Sequence, residues 1–252
     1  MRIVFLGDIY GQKGLKSVEK FLPRLKSDFP HDILIVNGEN VSDGLGLRKD
    51  DYKKLMKLGA RAVTLGNHAF SKDELFDYID EANIVRPLNY PKNTPGKTVM
   101  KINFNGITLC VLQVMGRIFM HDPLNNPFET LDETLEELSC DYILVDVHGE
   151  TTSEKLAIGH YLDGRVDAVI GTHTHVPTND AMTLPKGTLY QTDAGMCGVK
   201  YGILGADRER VLKKFLTGMP VRLRPHEDNI LQLNGVYLDV ETRTIKTIQY
   251  TD

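Results

Sequence analysis

Short apolar runs alternate with amphipathic segments along this chain, and that alternation predicts its elements. "RIVFLG" reads as a buried strand. The periodic "LKSVEKFLPRLKSDF" after it reads as a helix in which Pro23 marks a kink or a division. "DILIVNG" is a second strand, "DDYKKLMKLG" a helix closed by Gly59, "AVTLGN" a third strand and "KDELFDYIDEA" a further helix. Strand and helix in turn argue for parallel pairing through helical crossovers. The middle of the chain changes rhythm. In "TVMKINFNGITLCVLQV" two strand-like runs meet at Asn105-Gly106, a strong hairpin signal. Then "FETLDETLEEL" and "SEKLAIGHYL" read as helices, and "DYILVDVH" and "DAVIGTH" as strands. The last part adds "AMTLPKGTLYQT", a helix in "ADRERVLKKFL" and a strand pair in "ILQLNGVYLDVETRTIKTIQY". Hairpins beside crossovers predict an α/β fold of two mixed sheets packed together, with helices outside. No linker, low-complexity tract or internal repeat divides the chain, so residues 1–252 are expected to form one domain.

Composition narrows the function classes. Apolar residues make up 41% and charged residues 25%, which excludes a disordered chain. The formal charge of −4, with both signs mixed, argues against a nucleic-acid-coating surface and leaves room for a small phosphate-bearing substrate. No stable nucleic-acid complex is expected. Cys110, Cys140 and Cys197 are odd in number and widely spaced, which fits a reducing compartment rather than a disulfide framework. The apolar run at the N-terminus is too short for a signal peptide, and none reaches the roughly 20 residues of a membrane span. A cytoplasmic protein is the expectation.

Candidate chemistry lies where the strands stop. "VFLGD" ends at Asp8, "LIVNGEN" at Glu39 and Asn40, "VTLGNH" at Asn67 and His68, "LVDVH" at His148, and "VIGTHTH" at His173 and His175. Ligands of α/β sheets gather outside the carboxyl ends of the strands. Singly, each residue is as well read as a cap, a turn or a satisfied polar group. Repetition with one polarity favours a mixed nitrogen and oxygen metal site instead. In "HTH", alternate residues of an extended chain would face the same way. "GDIYGQKG" matches neither a dinucleotide fingerprint nor a P-loop; its glycines are expected to bring backbone close to the site. Gly66 and Gly171 are expected to act in the same way.

Taken together, "GD", "GEN", "GNH", "VH" and "GTHTH" resemble the calcineurin-like metallophosphoesterases. "MGRIFM", "HGETTSEK", "YLDGRVDAVIGTHTHVPT" and "TDAGMCG" resemble their YmdB-like branch, bacterial proteins similar to cyclic-nucleotide phosphodiesterases. The resemblance runs from Met1 to about Gly205. It implies a four-layer α-β-β-α sandwich with a dinuclear centre. Where the superfamily has Asp-x-His after its first strand, this chain has Tyr10 in the third position. Glu39 matches the bridging carboxylate, and Asn40 stands in for the missing His. By this resemblance Asp8, Glu39, Asn40 and His175 hold one metal, and Glu39, Asn67, His148 and His173 the other. His68 matches the catalytic histidine that is not a ligand. Phe70-Ser71 stand where the branch commonly has Trp-Asp, and Gly149 where it has Ala.

Mixed nitrogen and oxygen ligands suit Mn or Fe, with Zn also compatible. Two such ions about 3.5–4 Å apart can share a hydroxide and clamp a phosphate for in-line attack. His68 would protonate the leaving oxygen. The expected function is a metal-dependent phosphodiesterase acting on a small phosphate ester, with 2′,3′-cyclic nucleotides favoured by resemblance. A phosphomonoesterase, a nuclease, or a metal-binding regulatory protein with little turnover are the alternatives. A homo-oligomer is the favoured assembly.

Overall fold

The computed structural model describes residues 1–252. In chain order its elements are β1 (Arg2–Leu6), β2 (Asp8–Ile9), α1 (Gly11–Asp28), β3 (Ile33–Asn37), α2 (Lys49–Lys57), β4 (Ala60–Thr64) and β5 (Ile84–Val85). Then come β6 (Val99–Phe104), β7 (Ile107–Met115), α3 (Pro127–Glu137), β8 (Tyr142–His148), α4 (Thr152–Leu162) and β9 (Ala168–Thr172). The chain closes with β10 (Met182–Thr183), β11 (Leu189–Gln191), β12 (Met196–Val199), α5 (Arg208–Thr217), β13 (Leu231–Asp239) and β14 (Thr244–Thr251).

Two mixed sheets result. One has eight strands in the order β2-β12-β13-β1-β3-β4-β5, with β14 also paired to β13. The other has six, in the order β10-β11-β9-β8-β7-β6. Parallel pairs join β1–β3, β3–β4, β7–β8 and β8–β9, each pair connected through crossover chain, as the rhythm predicts. The hairpin β6–β7 turns at Asn105 (φ 51°) and Gly106 (φ 82°), both left-handed, which is the primed-turn geometry that Asn-Gly favours.

Alternation along the strands sorts side chains into three apolar layers. Ile3 and Phe5 of β1, Ile33 and Ile35 of β3, Val111 of β7 and Leu144 of β8 fill the space between the sheets. Their neighbours Val4, Leu6, Leu34 and Val36 turn the other way, against Leu15, Val18, Phe21 and Leu25 of α1. On the far side Leu112, Val145 and Val169 meet Leu131 of α3 and Ile158 and Leu162 of α4. Three cores separating four layers give the α-β-β-α sandwich.

Local chemistry accounts for the helix ends. The Asn126 side chain caps α3 by accepting from the Phe128 N–H (3.1 Å), with Pro127 in the first helical position. Asp207 caps α5, which stops at left-handed Gly218 (φ 65°). Two expectations need correction. Pro23 does not divide α1, which runs unbroken from Gly11 to Asp28; it lies on the exposed face, where water can satisfy the carbonyl its ring leaves free. The helix expected over "KDELFDYIDEA" is reduced to one 3₁₀ turn, Asp73–Asp77. Tyr78 leaves helical backbone (φ −146°) while its hydroxyl donates to the Leu47 carbonyl (2.8 Å), so tertiary contact overrides periodicity there.

Leu144 is fully buried between the sheets and Leu216 is 83% exposed on α5. Leu144→Ala is expected to cost about 2–5 kcal/mol of unfolding free energy. Leu216→Ala is expected to change it by no more than about 0.5 kcal/mol. Urea denaturation of the two variants checks this, and equal losses would contradict the layer assignment.

Candidate metal centre

The inward positions of the central strands are apolar until near their carboxyl ends. There Asn37 of β3, Thr64 of β4, Gln113 of β7, Asp146 of β8 and Thr172 of β9 replace the apolar layer, and all are fully buried. These five groups saturate one another. The Asp146 carboxylate accepts from Thr64 Oγ1 (2.6 Å), Gln113 Nε2 (3.1 Å) and Asn37 Nδ2 (3.2 Å) with one oxygen, and from Thr172 Oγ1 (2.7 Å) with the other. The Gln113 amide also pairs both backbone groups of Leu65. Burial pushes the Asp146 carboxyl up to about 6, against the pull of His148 and of the two hydroxyls.

On this polar floor the residues expected from the strand ends come together. Glu39 follows β3, Asp8 opens β2 and His148 closes β8, all three essentially without solvent contact. Two clusters form around them. In the first, Asn40 Nδ2 stands 3.0 Å from Glu39 Oε1, 3.1 Å from His175 Nε2 and 3.4 Å from Asp8 Oδ1. In the second, His148 Nε2 stands 3.0 Å from Asn67 Oδ1, 3.1 Å from His173 Nδ1 and 3.2 Å from Glu39 Oε1. Glu39 Oε1 belongs to both. Its other oxygen accepts from the His68 N–H (3.0 Å), so the carboxylate is fixed at each end.

Each of the three clustered imidazoles is pinned by an acceptor on the nitrogen that faces away. Thr172 Oγ1 gives its hydrogen to Asp146, so it accepts from His148 Nδ1 (2.9 Å). The Leu204 carbonyl accepts from His175 Nδ1 (3.0 Å), and Glu150 accepts from His173 Nε2 (3.0 Å). The lone-pair nitrogens of all three are thereby turned into the clusters, the arrangement that holds metal-binding histidines.

Electrostatics point the same way. Asp8 and Glu39 are buried with no Lys or Arg in contact; their ion partners are His175 (3.6 Å) and His148 (3.2 Å). Burial works to raise both carboxyls, but the neighbouring histidines hold them below the usual range. In turn burial works to lower His148, yet Glu39 draws it up to about 9. His173 is pushed down to about 4 by burial and by the charge on His148. Buried acids without a lysine or arginine partner suit a cation, and the donor atoms of Glu39, His148 and His173 lie within 4.8 Å of one another. The residues therefore fit divalent metal.

The backbone reaches this site by close approaches and strain. A Cβ on Gly66 would run into the Glu39 carboxylate and the His148 ring, and one on Gly7 into the Gly195 carbonyl. His173 (φ 99°) and His175 (φ 65°) are both left-handed, a costly state for residues other than glycine. This corrects the extended reading of "HTH": the two rings converge because the chain turns sharply, not because it is a strand. The turn is held from below. Asp193 accepts from Thr174 N (3.1 Å) and Thr174 Oγ1 (2.8 Å), and buried Lys155 bridges Asp193 (2.8 Å) and the Thr172 carbonyl (3.0 Å).

A cavity of about 760 Å³ opens above the clusters, and His68 lines it beside His173 and His175. The His68 ring lies 3.3 Å from Asn67 Nδ2. Phe70, in the altered pair after "GNH", stacks on Phe76 (5.4 Å) rather than facing the clusters. A wider cleft of about 1150 Å³, lined by Arg86, Lys97, Glu129 and Glu133, runs beside α3 and contains none of these groups. All three cysteines are free, and Cys197 Sγ points at the Asn234 carbonyl (3.4 Å). Glu150, Thr172, Asp146 and the Lys155–Asp193 pair were not foreseen as supports. A polar residue near the carboxyl end of an otherwise apolar strand is the signal that marks three of the floor residues, in "LIVN", "AVT" and "LVD".

All eight residues singled out at the strand ends, Asp8, Glu39, Asn40, Asn67, His68, His148, His173 and His175, thus belong to one neighbourhood. Known proteins resemble the chain over its whole length. A 2′,3′-cyclic-nucleotide 2′-phosphodiesterase of Bacillus subtilis (strain 168) is 46% identical over 252 residues, covering 99% of this chain and 95% of its own. A hypothetical protein of Thermus thermophilus superposes with a TM-score of 0.95 at 45% identity, over 100% of both chains. A novel phosphatase from Mycoplasma pneumoniae superposes with a TM-score of 0.91 at 35% identity, over 100% of this chain and 93% of its own. Residues 4–251 match the model of the YmdB-like proteins, and the chain belongs to that family.

Proposed function

We propose that this chain is a metal-dependent phosphodiesterase that hydrolyses cyclic nucleotides, 2′,3′-cyclic nucleotides foremost, with residues 1–252 acting as one catalytic domain. The observation that carries the reading is the pair of donor clusters sharing Glu39 Oε1, with one nitrogen of each clustered imidazole turned inward and the other held by an outside acceptor. The activity named for the B. subtilis relative supports the substrate class. Asp8, Glu39, Asn40 and His175 would hold one cation, and Glu39, Asn67, His148 and His173 the other. The absence of thiolates makes Mn or Fe the best match, with Zn compatible. When bound, such a pair supplies Lewis-acid stabilisation of the phosphate and an acidified water as nucleophile.

The protein's own groups do the rest. Asn40 now turns its nitrogen toward the cluster, so ligation requires a half-turn of the amide to present oxygen. Thr172, Glu150 and the Leu204 carbonyl keep the three rings in the tautomer that can ligate. His68, on the cavity wall and outside both clusters, gives a proton to the departing ribose oxygen. Arg48 and Lys72 line the same wall, tied to Asp43, and offer charge to the phosphate. No helix is long and apolar enough to cross a membrane, and the free cysteines suit a reducing compartment; both support action in the cytoplasm. A homo-oligomer remains the favoured assembly.

Glu39→Ala is expected to remove more metal than any other single ligand substitution, because its carboxylate belongs to both clusters. Elemental analysis of the purified variant checks this; two full equivalents retained would end the shared role. His68→Ala is expected to keep both metals yet lose about 10²–10⁴-fold in kcat/KM on a 2′,3′-cyclic nucleotide. The loss should shrink on a nitrophenyl diester, whose leaving group departs without a proton. Equal large losses on both substrates, with metal depleted, would make His68 a ligand. Wild-type turnover of a monoester but not of either diester would replace the whole reading with a phosphomonoesterase.

A further inference from the structure

The overall negative charge conceals a local positive one. In residues 208–224, "RERVLKKFLTGMPVRLR", six cations (Arg208, Arg210, Lys213, Lys214, Arg222 and Arg224) accompany one acid, Glu209. None of the six is in an ion pair. The neighbouring acids are engaged elsewhere: Asp207 and Asp228 face His226, and Glu227 faces Lys13. The same segment exposes apolar surface. Phe215 is 80% and Leu216 83% exposed, one helical turn from exposed Leu212, and Met219 and Leu223 continue the patch. Lys214, Phe215, Arg222 and Leu223 form part of the wall of the cavity above Glu39 and His68, so the patch begins inside the site and runs out of it.

A cyclic mononucleotide has one phosphate and one base, and both would be engaged within the cavity. It leaves Lys213 and Arg224 unpaired, Arg208 and Arg210 with only the more distant charges of Asp228 and Asp207, and the outer apolar surface without a partner. A strand continuing from the ribose 5′-oxygen would supply both, as phosphates for the cations and base faces for Phe215 and its neighbours. We infer that the substrates of this site include single-stranded RNA ending in a 2′,3′-cyclic phosphate, bound along residues 208–224. The inference rests on the phosphodiesterase reading. Only RNA carries the 2′-oxygen that a 2′,3′-cyclic end requires. Water adds to phosphorus, the P–O2′ bond breaks, and O2′ leaves as a hydroxyl beside a 3′-phosphate, so no further reactant is needed. A basic amphipathic helix also suits an anionic membrane, but continuity with the catalytic cavity favours a chain that threads into it.

The test compares an eight-nucleotide RNA ending in 2′,3′-cyclic phosphate with the corresponding cyclic mononucleotide on the metal-loaded enzyme. The oligonucleotide is expected to have about tenfold or greater kcat/KM at low salt, declining with a log–log slope near −2 if about three phosphates are neutralised. Substituting Arg208→Gln, Lys213→Gln and Arg224→Gln together, none of which lines the cavity, should erase most of that advantage and leave mononucleotide turnover within about twofold. Equal kcat/KM for both substrates, or an advantage that survives the triple variant, would overturn the inference while leaving the phosphodiesterase reading in place. So would retention on phosphatidylglycerol vesicles without any preference for the oligonucleotide. If neither substrate turns over, the phosphodiesterase reading fails, and fluorescence anisotropy of the labelled RNA decides the surface by itself. Salt-dependent binding weakened by the triple variant is the expected result there, and no binding would overturn it.

Discussion

Asp8 and Glu39 are held out of water within a few ångströms of each other's partners, and no lysine or arginine reaches either. Burying two ionised carboxylates costs far more than the net stability of a typical domain unless positive charge is supplied. In the protein alone the nearest partners are the imidazoles of His148 and His175, which the acids draw upward against the pull of burial. Such a site is built for cations. The surrounding architecture serves to keep these acids deprotonated, apart from solvent and open on one side to a cavity.

Building it requires backbone that is unfavourable on its own. Two consecutive odd positions of "HTH" adopt left-handed φ, and Gly7, Gly66 and Gly171 approach their neighbours too closely for any side chain. Strain of this kind persists only where neighbours over-determine it. The buried Lys155–Asp193 pair supplies that restraint from α4, grasping Thr172 and Thr174 on either side of His173. A buried ion pair adds little net stability. Here its geometric effect is plain: it fixes the turn that aims two imidazoles. The Asp146 network does the same for His148 and leaves no inward polar group of the floor unmatched.

Much of this was legible in the sequence. The hairpin at Asn105-Gly106, the final strand pair and the parallel core follow from alternation and turn chemistry. The eight strand-end residues were legible because their polarity is repeated, and they do share one neighbourhood. What escaped has a physical cause in each case. "KDELFDYIDEA" has a helical period, but Tyr78 is claimed by the Leu47 carbonyl. The convergence of His173 and His175 looked like strand alternation, because a left-handed turn leaves no mark in the residue types His-Thr-His. Glu150 and Leu204 act through loop geometry, and a carbonyl acceptor carries no sequence signature. Lys155 reads as an ordinary exposed helical lysine until α4 is packed against β9 and the 192–195 segment. The basic surface of residues 208–224 was hidden in a chain-wide net charge of −4.

The central claim is that one carboxylate, Glu39, lies between two cations. Anomalous diffraction from crystals of protein purified without chelator tests it most directly, with data on both sides of the Mn and Fe absorption edges. The account predicts two peaks flanking the Glu39 carboxylate, one bounded by Asp8, Asn40 and His175 and the other by Asn67, His148 and His173. A single peak, or none with the clusters intact after soaking in Mn, would contradict it.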